Sequence, residues 1–216
     1  MHAQIQIIVY THTLFLFIKM TYFDNLQRNY TDVPITEDGI ETIPFIEATN
    51  GLVKLFDLLG SKAFNVVQSD MNGNIEKIKN RYEADPTKSP TLEKLVINEQ
   101  GEKKRTATEG LLWLKRGLEF TSVALRRSIN DENEELTVSF TEAYGVTLRP
   151  FHSMLVRPIF GLAMKACPYR KDFFEKLGDD QEKVKQQYEE WLLAFEKVVQ
   201  RLNNFYTEGG YDKGKF

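Results

Sequence analysis

Apolar side chains recur every three or four residues along most of the chain, and this is the spacing of one face of an α-helix. The first such run predicts a long helix from about Ile43 to Leu59, with Gly60 as its end. A second helix begins at Ser61 and ends before Pro86. No convincing run alternates between apolar and polar residues as a half-buried strand does. The pattern therefore predicts an all-α fold.

Serine and proline mark the boundaries of the later helices. Ser89 and Pro90 open a short third helix, since serine caps a helix and proline is tolerated in the first turn. The next run, LLWLKRGLEFTSVALRRSI, leaves few polar positions for solvent and predicts a central, largely buried helix. Further helices are predicted over 134–144, from Pro150 to Cys167 with a kink at Pro158, over 171–177 and over 180–206.

Three polar residues of the second helix, Asp70, Asn74 and Lys77, stand at positions i, i+4 and i+7. At about 100° per residue they fall within an arc of roughly 60° and form one polar stripe. The adjacent arc is apolar and consists of Val67, Met71, Ile75 and Ile78. A carboxylate, an amide and an ammonium in a row supply the acceptors and donors that hold a group rich in hydroxyls. The stripe suggests recognition of a polar head whose remainder is apolar.

A second interpretation of this stripe stays open. Ser69 or Asp70 caps a helix that begins there, and Asn74 and Lys77 lie on a solvated face. Gly73 complicates that interpretation, because glycine inside a helix costs ~1 kcal/mol relative to alanine and marks a boundary or a close approach. The stripe alone does not decide between the two.

The composition is that of an ordinary globular protein. A chain of 216 residues with 42% hydrophobic and 27% charged residues suits one domain with a sizeable core. The net charge of -3 gives no electrostatic case for nucleic acid, so we expect no nucleic-acid partner. A single cysteine, Cys167, excludes an internal disulfide and a cysteine-based zinc site, which fits a reducing compartment such as the cytoplasm.

Residues 1–19 differ in character from the rest of the chain. Their apolar run is too short, and too interrupted by Thr11, His12 and Thr13, for a membrane span, and it lacks the features of a secretory signal. We expect this segment to be an upstream extension, mistranslated or poorly ordered, and we assign residues 20–216 to one domain. A membrane anchor is the alternative.

The residues that carry most enzyme chemistry are scarce. Outside the first segment, His152 is the only histidine and Cys167 the only cysteine, which removes most metal clusters and nucleophilic dyads. The chain has no Walker loop, no GxGxxG motif after a strand and no GxSxG elbow. We therefore expect binding without catalysis, and neither a metal nor a cofactor.

Several segments resemble the glycolipid transfer protein family, namely SDMNGNIEKIK, TEGLLWLKRGLEF, and FHSMLVRPIF followed by ACPYRKDF. The similarity runs from Met20 to the last helix and is strongest to the fungal heterokaryon-incompatibility members, which share MTYFDN, DVP and KLGDD. The resemblance implies a two-layer helical sandwich of about eight helices that encloses an apolar lipid tunnel. It also implies non-enzymatic transfer of glycosphingolipids, of the glucosylceramide or galactosylceramide type, between membranes.

The resemblance also implies roles for five residues of a headgroup site. Asp70, Asn74 and Lys77 hydrogen-bond the sugar, and Asp70 also binds the ceramide amide. Trp113 is the platform for the first sugar ring, and His152 donates to the ceramide carbonyl. Considered by itself, each residue has a simpler interpretation: Trp113 as a core residue, and His152 as a hydrogen-bonded residue of a helix. Their joint occurrence with the stripe favours the functional interpretation.

The ceramide chains require apolar walls, and periodicity does not distinguish a tunnel wall from a filled core. The predicted walls are Phe56, Phe64, Val67, Leu118, Phe151, Leu155, Ile159 and Phe160. Met154 stands where vertebrate members carry a tryptophan thought to touch the membrane, so insertion there is weaker or uses neighbouring apolar groups. We expect transient, peripheral membrane contact by a monomer.

Two departures from the family pattern leave alternatives open. The C-terminal tyrosine that reaches the sugar in vertebrate members has two candidates here, Tyr211 and Phe216. Trp113 stands where carriers of ceramide phosphate have arginine, which favours a neutral sugar. Lys115 and Arg116, together with Lys77, keep ceramide phosphate as the alternative ligand.

The segment VKLFDLLG resembles a motif through which some family members are proposed to bind an endoplasmic-reticulum receptor, with Leu55 and Phe56 at the positions of the motif's aromatic pair. The predicted helix buries both residues, so this partner requires the helix end to fray. Alternatives from other classes are a lipid sensor that acts through protein partners and an enzyme that acts on a sugar.

Overall fold

The computed structural model describes residues 19–213. The predicted extension, apart from Lys19, and the candidate Phe216 lie outside these residues. The described part contains eight α-helices, which are α1 Thr42–Leu58, α2 Asn65–Ala84, α3 Leu92–Glu99, α4 Thr106–Asn130, α5 Leu136–Val146, α6 Arg157–Lys165, α7 Arg170–Leu177 and α8 Gln181–Gly209. The prediction of an all-α fold is confirmed.

Helix α4 lies at the centre of the fold and packs against α2, α3, α5 and α8. Its side chains Leu111, Leu114 and Leu118 are completely buried, as the apolar run predicted. The start of α4 is held by Glu99 of α3, whose carboxylate accepts from the backbone N–H groups of Ala107 at 3.0 Å and Thr108 at 2.6 Å. A carboxylate at this position neutralises the positive end of the helix dipole and satisfies two otherwise unpaired donors.

A small β-hairpin precedes α1 and is the one strand element that the sequence pattern of the described residues did not indicate. Strands β1 Ile35–Thr36 and β2 Gly39–Ile40 pair in antiparallel register. Two-residue strands are too short to show alternation in a sequence. The Glu93 carboxylate accepts from the N–H of Ile40 at 2.8 Å and from Nε of Arg201 at 2.8 Å, so the hairpin is tied to α3 and α8.

The helix predicted from Pro150 to Cys167 is wrong in its first half. A 3₁₀ turn over Arg149–Phe151 is followed by irregular chain, and α6 begins only at Arg157. Pro158 therefore stands in the first turn of α6 instead of kinking a longer helix, because proline lacks an N–H and fits only where no intrahelical donor is needed. Residues 152–156 consequently lie on a loop.

The interior is closely packed. One small apolar cavity between α1, α4, α5 and α7 has a volume of about 10 Å³, roughly the space that a single water molecule needs. Its lining consists of Leu55, Phe56, Leu59, Thr121, Leu125, Phe140 and Phe173. Within residues 19–213 no helix combines the length and apolar character needed to cross a bilayer.

Candidate functional site

The polar stripe lies inside α2 and does not cap it. Helix α2 begins at Asn65, so Asp70 is more than a turn past the start. Asn74 is only 4% exposed, and its Oδ1 accepts from Nζ of Lys77 at 3.2 Å. Burial of a polar amide on the inner side of a helix contradicts the interpretation of a merely solvated face. Asp70 remains at the surface, beside the half-buried Lys77.

Helices α2 and α4 run antiparallel and bring Trp113 to the level of the stripe. Gly110 lies against Lys77, and a Cβ at position 110 would be 3.0 Å from Cβ of that lysine. About two turns further along α4, Gly117 lies against Met71. A Cβ at position 117 would be 3.9 Å from Cγ of that methionine. Because position 77 pairs with 110 and position 71 with 117, Trp113 lies at about the level of Asn74 along the helix pair.

His152 reaches the same place from the loop before α6. Its imidazole lies almost parallel to the Trp113 indole, with ring centroids 6.1 Å apart and 24° between planes. The Tyr144 hydroxyl lies 3.1 Å from Nδ1 of His152. When Tyr144 donates to Nδ1, the proton of the neutral imidazole is on Nε2, which is then free to donate to a ligand carbonyl.

The charge states of the site suit hydrogen bonding to a neutral ligand. Burial lowers the pKa of His152, and the charges of Arg157 and Arg116 lower it further, so its imidazole is neutral at pH 7. Although the Asp70 side chain is exposed, the surrounding protein removes part of its hydration and raises the pKa of the carboxyl above its usual value. The ammonium of Lys77 opposes that shift.

Two residues of this site escaped the sequence reasoning. The sequence pattern predicts only that Tyr144 ends a helix, and it does not indicate that the Tyr144 hydroxyl orients His152. Arg116 was considered only as a possible phosphate ligand. Its guanidinium lies 4.8 Å from the Trp113 ring centroid and 3.8 Å from that of Phe151. The i, i+3 spacing predicts the first of these contacts, whereas the contact with Phe151 is non-local and leaves no signal in the sequence.

The predicted tunnel walls divide into two groups. Five are buried in the core, namely Phe56, Phe64, Val67, Leu118 and Phe160, and their role as walls stays a prediction. The prediction is wrong for Phe151, Leu155 and Ile159, which are 49%, 85% and 53% exposed. The reason is the broken helix, because residues expected on the inner face of one long helix stand on a turn, a loop and the outer side of α6.

A series of ring contacts connects the apolar cavity with the headgroup site. Phe56 contacts Phe64 at 5.8 Å, and Phe64 contacts Phe140 at 6.2 Å. Phe120 contacts Phe140 at 5.8 Å and Tyr144 at 6.3 Å. Since Phe56 and Phe140 line the cavity and Tyr144 bonds His152, an apolar path leads from the surface site into the interior.

Residues 149–165, hereafter the exposed apolar segment, contain uncovered side chains next to this path. Met154 is 83% exposed and Leu162 67%, in addition to the three corrected wall residues. The charged residues in this segment are Arg149, Arg157 and Lys165, and none is acidic. Contiguous exposed apolar groups of this kind mark interaction surfaces.

The remaining candidates have other partners. Tyr211 packs against Phe205, with centroids 5.0 Å apart, so its ring covers the end of α8. Nζ of Lys115 donates to Oδ1 of Asn203 on α8 at 2.6 Å. Leu55 and Phe56 are 4% and 3% exposed within α1, so the proposed receptor motif is buried.

Comparisons with known proteins identify the family of this chain. The family model for "Glycolipid transfer protein (GLTP)" matches residues 40–179. A glycolipid transfer protein of Aureobasidium melanogenum is 52% identical over 185 residues, covering 86% of this chain and 92% of that protein. Solved structures give the same result at the level of the fold.

HET-C2, a fungal glycolipid transfer protein, superposes with a TM-score of 0.85 at 48% identity, covering 90% of this chain and 100% of that one. A structure explaining how FAPP2 selects simple glycosphingolipids using the GLTP-fold gives a TM-score of 0.81 at 31% identity. It covers 90% of this chain and 98% of that one. The predicted family resemblance and helical sandwich are confirmed.

Proposed function

The chain belongs to the glycolipid transfer protein family, and from this premise we propose how it performs non-enzymatic transfer of glycosphingolipids between membranes. Asp70, Asn74 and Lys77 hydrogen-bond the sugar, and the indole of Trp113 supports the ring. Nε2 of His152 donates to the ceramide carbonyl. The proposal is supported by the antiparallel contact of α2 and α4, which brings Trp113 to the level of Asn74, and by the stacking of Trp113 on His152.

Each group has the chemistry its role requires. The indole presents an apolar face to the C–H side of a pyranose, while a carboxylate, an amide and an ammonium bond its hydroxyls. The raised pKa of Asp70 still leaves a carboxyl that accepts from hydroxyls and from the ceramide amide at neutral pH. Neutral His152 keeps one N–H donor for the carbonyl.

Selection must come from these polar contacts and not from the hydrocarbon. On the order of 30 methylenes at ~0.8 kcal/mol each contribute tens of kcal/mol when they leave water. The lipid comes from a bilayer that is equally apolar, so this contribution nearly cancels in transfer. The hydrogen bonds, at ~0.5 to 1.5 kcal/mol each and more where one partner is charged, then decide which lipid is carried.

A neutral sugar fits the site better than phosphate. The phosphate alternative relied on Lys77, Lys115 and Arg116 as three cations around the headgroup. In the structure Lys115 is bonded to Asn203 of α8, and the Arg116 guanidinium lies against the rings of Trp113 and Phe151. Of these three cations, only Lys77 bonds to another residue of the stripe, Asn74.

The ceramide chains occupy the interior along the apolar path. The cavity of about 10 Å³ is far smaller than two hydrocarbon chains, so the aromatic side chains between Phe56 and Tyr144 must shift when lipid enters. The adjacent exposed apolar segment meets the membrane surface during uptake and release. Met154 and Leu155, at 83% and 85% exposure, are the side chains best placed for that contact.

The remaining expectations concern the oligomeric state, the location and a receptor partner of the protein. The protein acts as a monomer in the cytoplasm, at the periphery of membranes. A receptor contact through Leu55 and Phe56 requires the last turns of α1 to unwind, because both side chains are buried and line the cavity. A peptide-binding assay with the folded chain therefore gives little binding, and strong binding without loss of helicity contradicts the burial argument.

Transfer of fluorescent glucosylceramide between vesicles tests the proposal. The intact chain transfers the lipid, whereas Asp70→Val and Trp113→Ala abolish transfer and retain the helical circular dichroism signal. Glu76→Gln, on the exposed side of α2, is the matched control and transfers normally. Normal transfer by either site variant contradicts the assigned site. Tight binding without transfer indicates a sensor, and release of free sugar indicates an enzyme.

A further inference from the structure

We propose that Gly110 is a positioning residue of the headgroup site: its lack of a side chain lets Lys77 lie flat on α4 and present its ammonium to Asn74. The inference rests on the function proposed above and adds a residue that itself touches no ligand. Gly110 is buried in α4, one turn before the Trp113 platform. It thus stands where the two helices that carry the site meet.

The contacts at this point are tighter than a methyl group ordinarily makes, so the neighbouring atoms would have to shift by a few tenths of an ångström. A Cβ on Gly110 would lie 3.0 Å from Cβ and 3.0 Å from Cδ of Lys77, and 3.3 Å from the carbonyl oxygen of Asn74. Nζ of the same lysine donates to Oδ1 of Asn74 at 3.2 Å. The stem of Lys77 therefore crosses the bare backbone of Gly110 before its ammonium turns back along α2.

Rotation of the lysine side chain does not relieve the conflict. The Cδ atom of Lys77 can move, but its Cβ and the Asn74 carbonyl oxygen are fixed to the backbone of α2. An alanine at position 110 thus displaces α2 from α4 and also redirects the lysine stem. Both shifts change the geometry between Trp113 and the stripe, on which hydrogen bonding to the sugar depends.

Two other helical glycines supply matched controls. Gly117 lies in the same helix and the same α2 contact, but the nearest atom to its Cβ position is Cγ of Met71 at an ordinary 3.9 Å. Gly73, on α2 between Asp70 and Asn74, has nothing within 4 Å of that position. Alanine at all three sites gains the same helix propensity, so the variants differ mainly in the space available for the methyl group.

The experiment measures glucosylceramide transfer between phosphatidylcholine vesicles, and the ratio of glucosylceramide to ceramide that the protein binds. We expect Gly110→Ala to lower both the transfer of glucosylceramide and the ratio of bound glucosylceramide to bound ceramide about fivefold. This is the effect of weakening roughly one hydrogen bond. We expect Gly117→Ala and Gly73→Ala to match the original chain. A role in stability alone changes the binding of both lipids equally and leaves their ratio unchanged.

The outcomes separate this inference from the proposed function. If the original chain transfers no glucosylceramide, the proposed function fails. If it does and Gly110→Ala equals Gly117→Ala in transfer and ratio, the role of Gly110 is refuted. If Gly110→Ala does not fold, the double variant Gly110→Ala/Lys77→Gly serves in its place. It lacks Cβ and Cδ of Lys77, the two lysine atoms that conflict with the new methyl group. Recovery of the cooperative unfolding transition supports the contact, and a double variant as unfolded as the single one overturns it.

Discussion

The headgroup site and the exposed apolar segment lie side by side but are built in opposite ways. In the headgroup site, polar side chains are already paired with one another, as Lys77 with Asn74 and Tyr144 with His152. In the exposed apolar segment, hydrophobic side chains such as Met154 and Leu155 face solvent with more than four fifths of their surface. Arg116 lies between the two regions, against Trp113 on one side and Phe151 on the other.

The contrast separates selection from delivery. A site that discriminates by a few hydrogen bonds must hold its donors and acceptors in place before the ligand arrives, because ordering them costs affinity. A surface that meets a bilayer needs uncovered apolar area and no fixed partner. Substitutions in one region should therefore leave the activity of the other unchanged, and the following predictions test that independence.

Among these tests of independence, the largest effect on transfer is expected from the double variant Met154→Asp/Leu155→Asp. Burying these side chains in a membrane contributes up to about 1.5 to 3 kcal/mol each, so their loss lowers the transfer rate by roughly 100-fold. Stability and the binding of short-chain glucosylceramide in solution should not change. Leu193→Asp, at a 48% exposed position on α8, is the control. Equal losses for both variants contradict a special role for this segment.

A smaller loss, about tenfold, is expected for Asp70→Asn. The amide still bonds hydroxyls, but without the additional strength of a charged acceptor. The loss should appear in lipid binding and transfer alike, while adsorption to empty vesicles, measured by co-sedimentation, stays normal. Reduced adsorption in this variant would mean that the two regions are not independent.

Tyr144→Phe should lower transfer about fivefold, the effect of one neutral hydrogen bond. Without the hydroxyl, Nδ1 of His152 loses its partner and the proton is no longer held on Nε2. Tyr206→Phe removes a hydroxyl that donates to the Thr108 carbonyl at 2.9 Å instead of to His152, and serves as the control for stability. Equal transfer by the two variants contradicts the role of Tyr144.

The smallest effect concerns pH. The pKa of His152 lies below its usual value of about 6.5, so between these two values the unfolded chain binds more protons at this residue than the folded chain. The free energy of unfolding therefore falls as pH falls through this window. Urea unfolding at about pH 7.5 and about pH 5.5 should show a weaker dependence for His152→Gln than for the original chain. An identical dependence excludes His152 as the cause.

Sequence reasoning succeeded where the signal was local. Helical spacing located α2 and its stripe, because three positions within two turns define one side of a helix. It failed at Phe151, Leu155 and Ile159, because apolar periodicity does not reveal what covers a face. The partnership of Tyr144 with His152 depends on a turn between two helices and leaves no periodic trace. The assignment of residues 20–216 to one domain stays a prediction.

The central claim is that the polar contacts between α2 and α4 select a neutral sugar, and a side-by-side transfer assay tests it most directly. Vesicles carry glucosylceramide, ceramide phosphate or ceramide with the same acyl chain, so that only the headgroup differs. The account predicts rapid transfer of glucosylceramide and much slower transfer of the other two lipids. Equal or faster transfer of ceramide phosphate would contradict it.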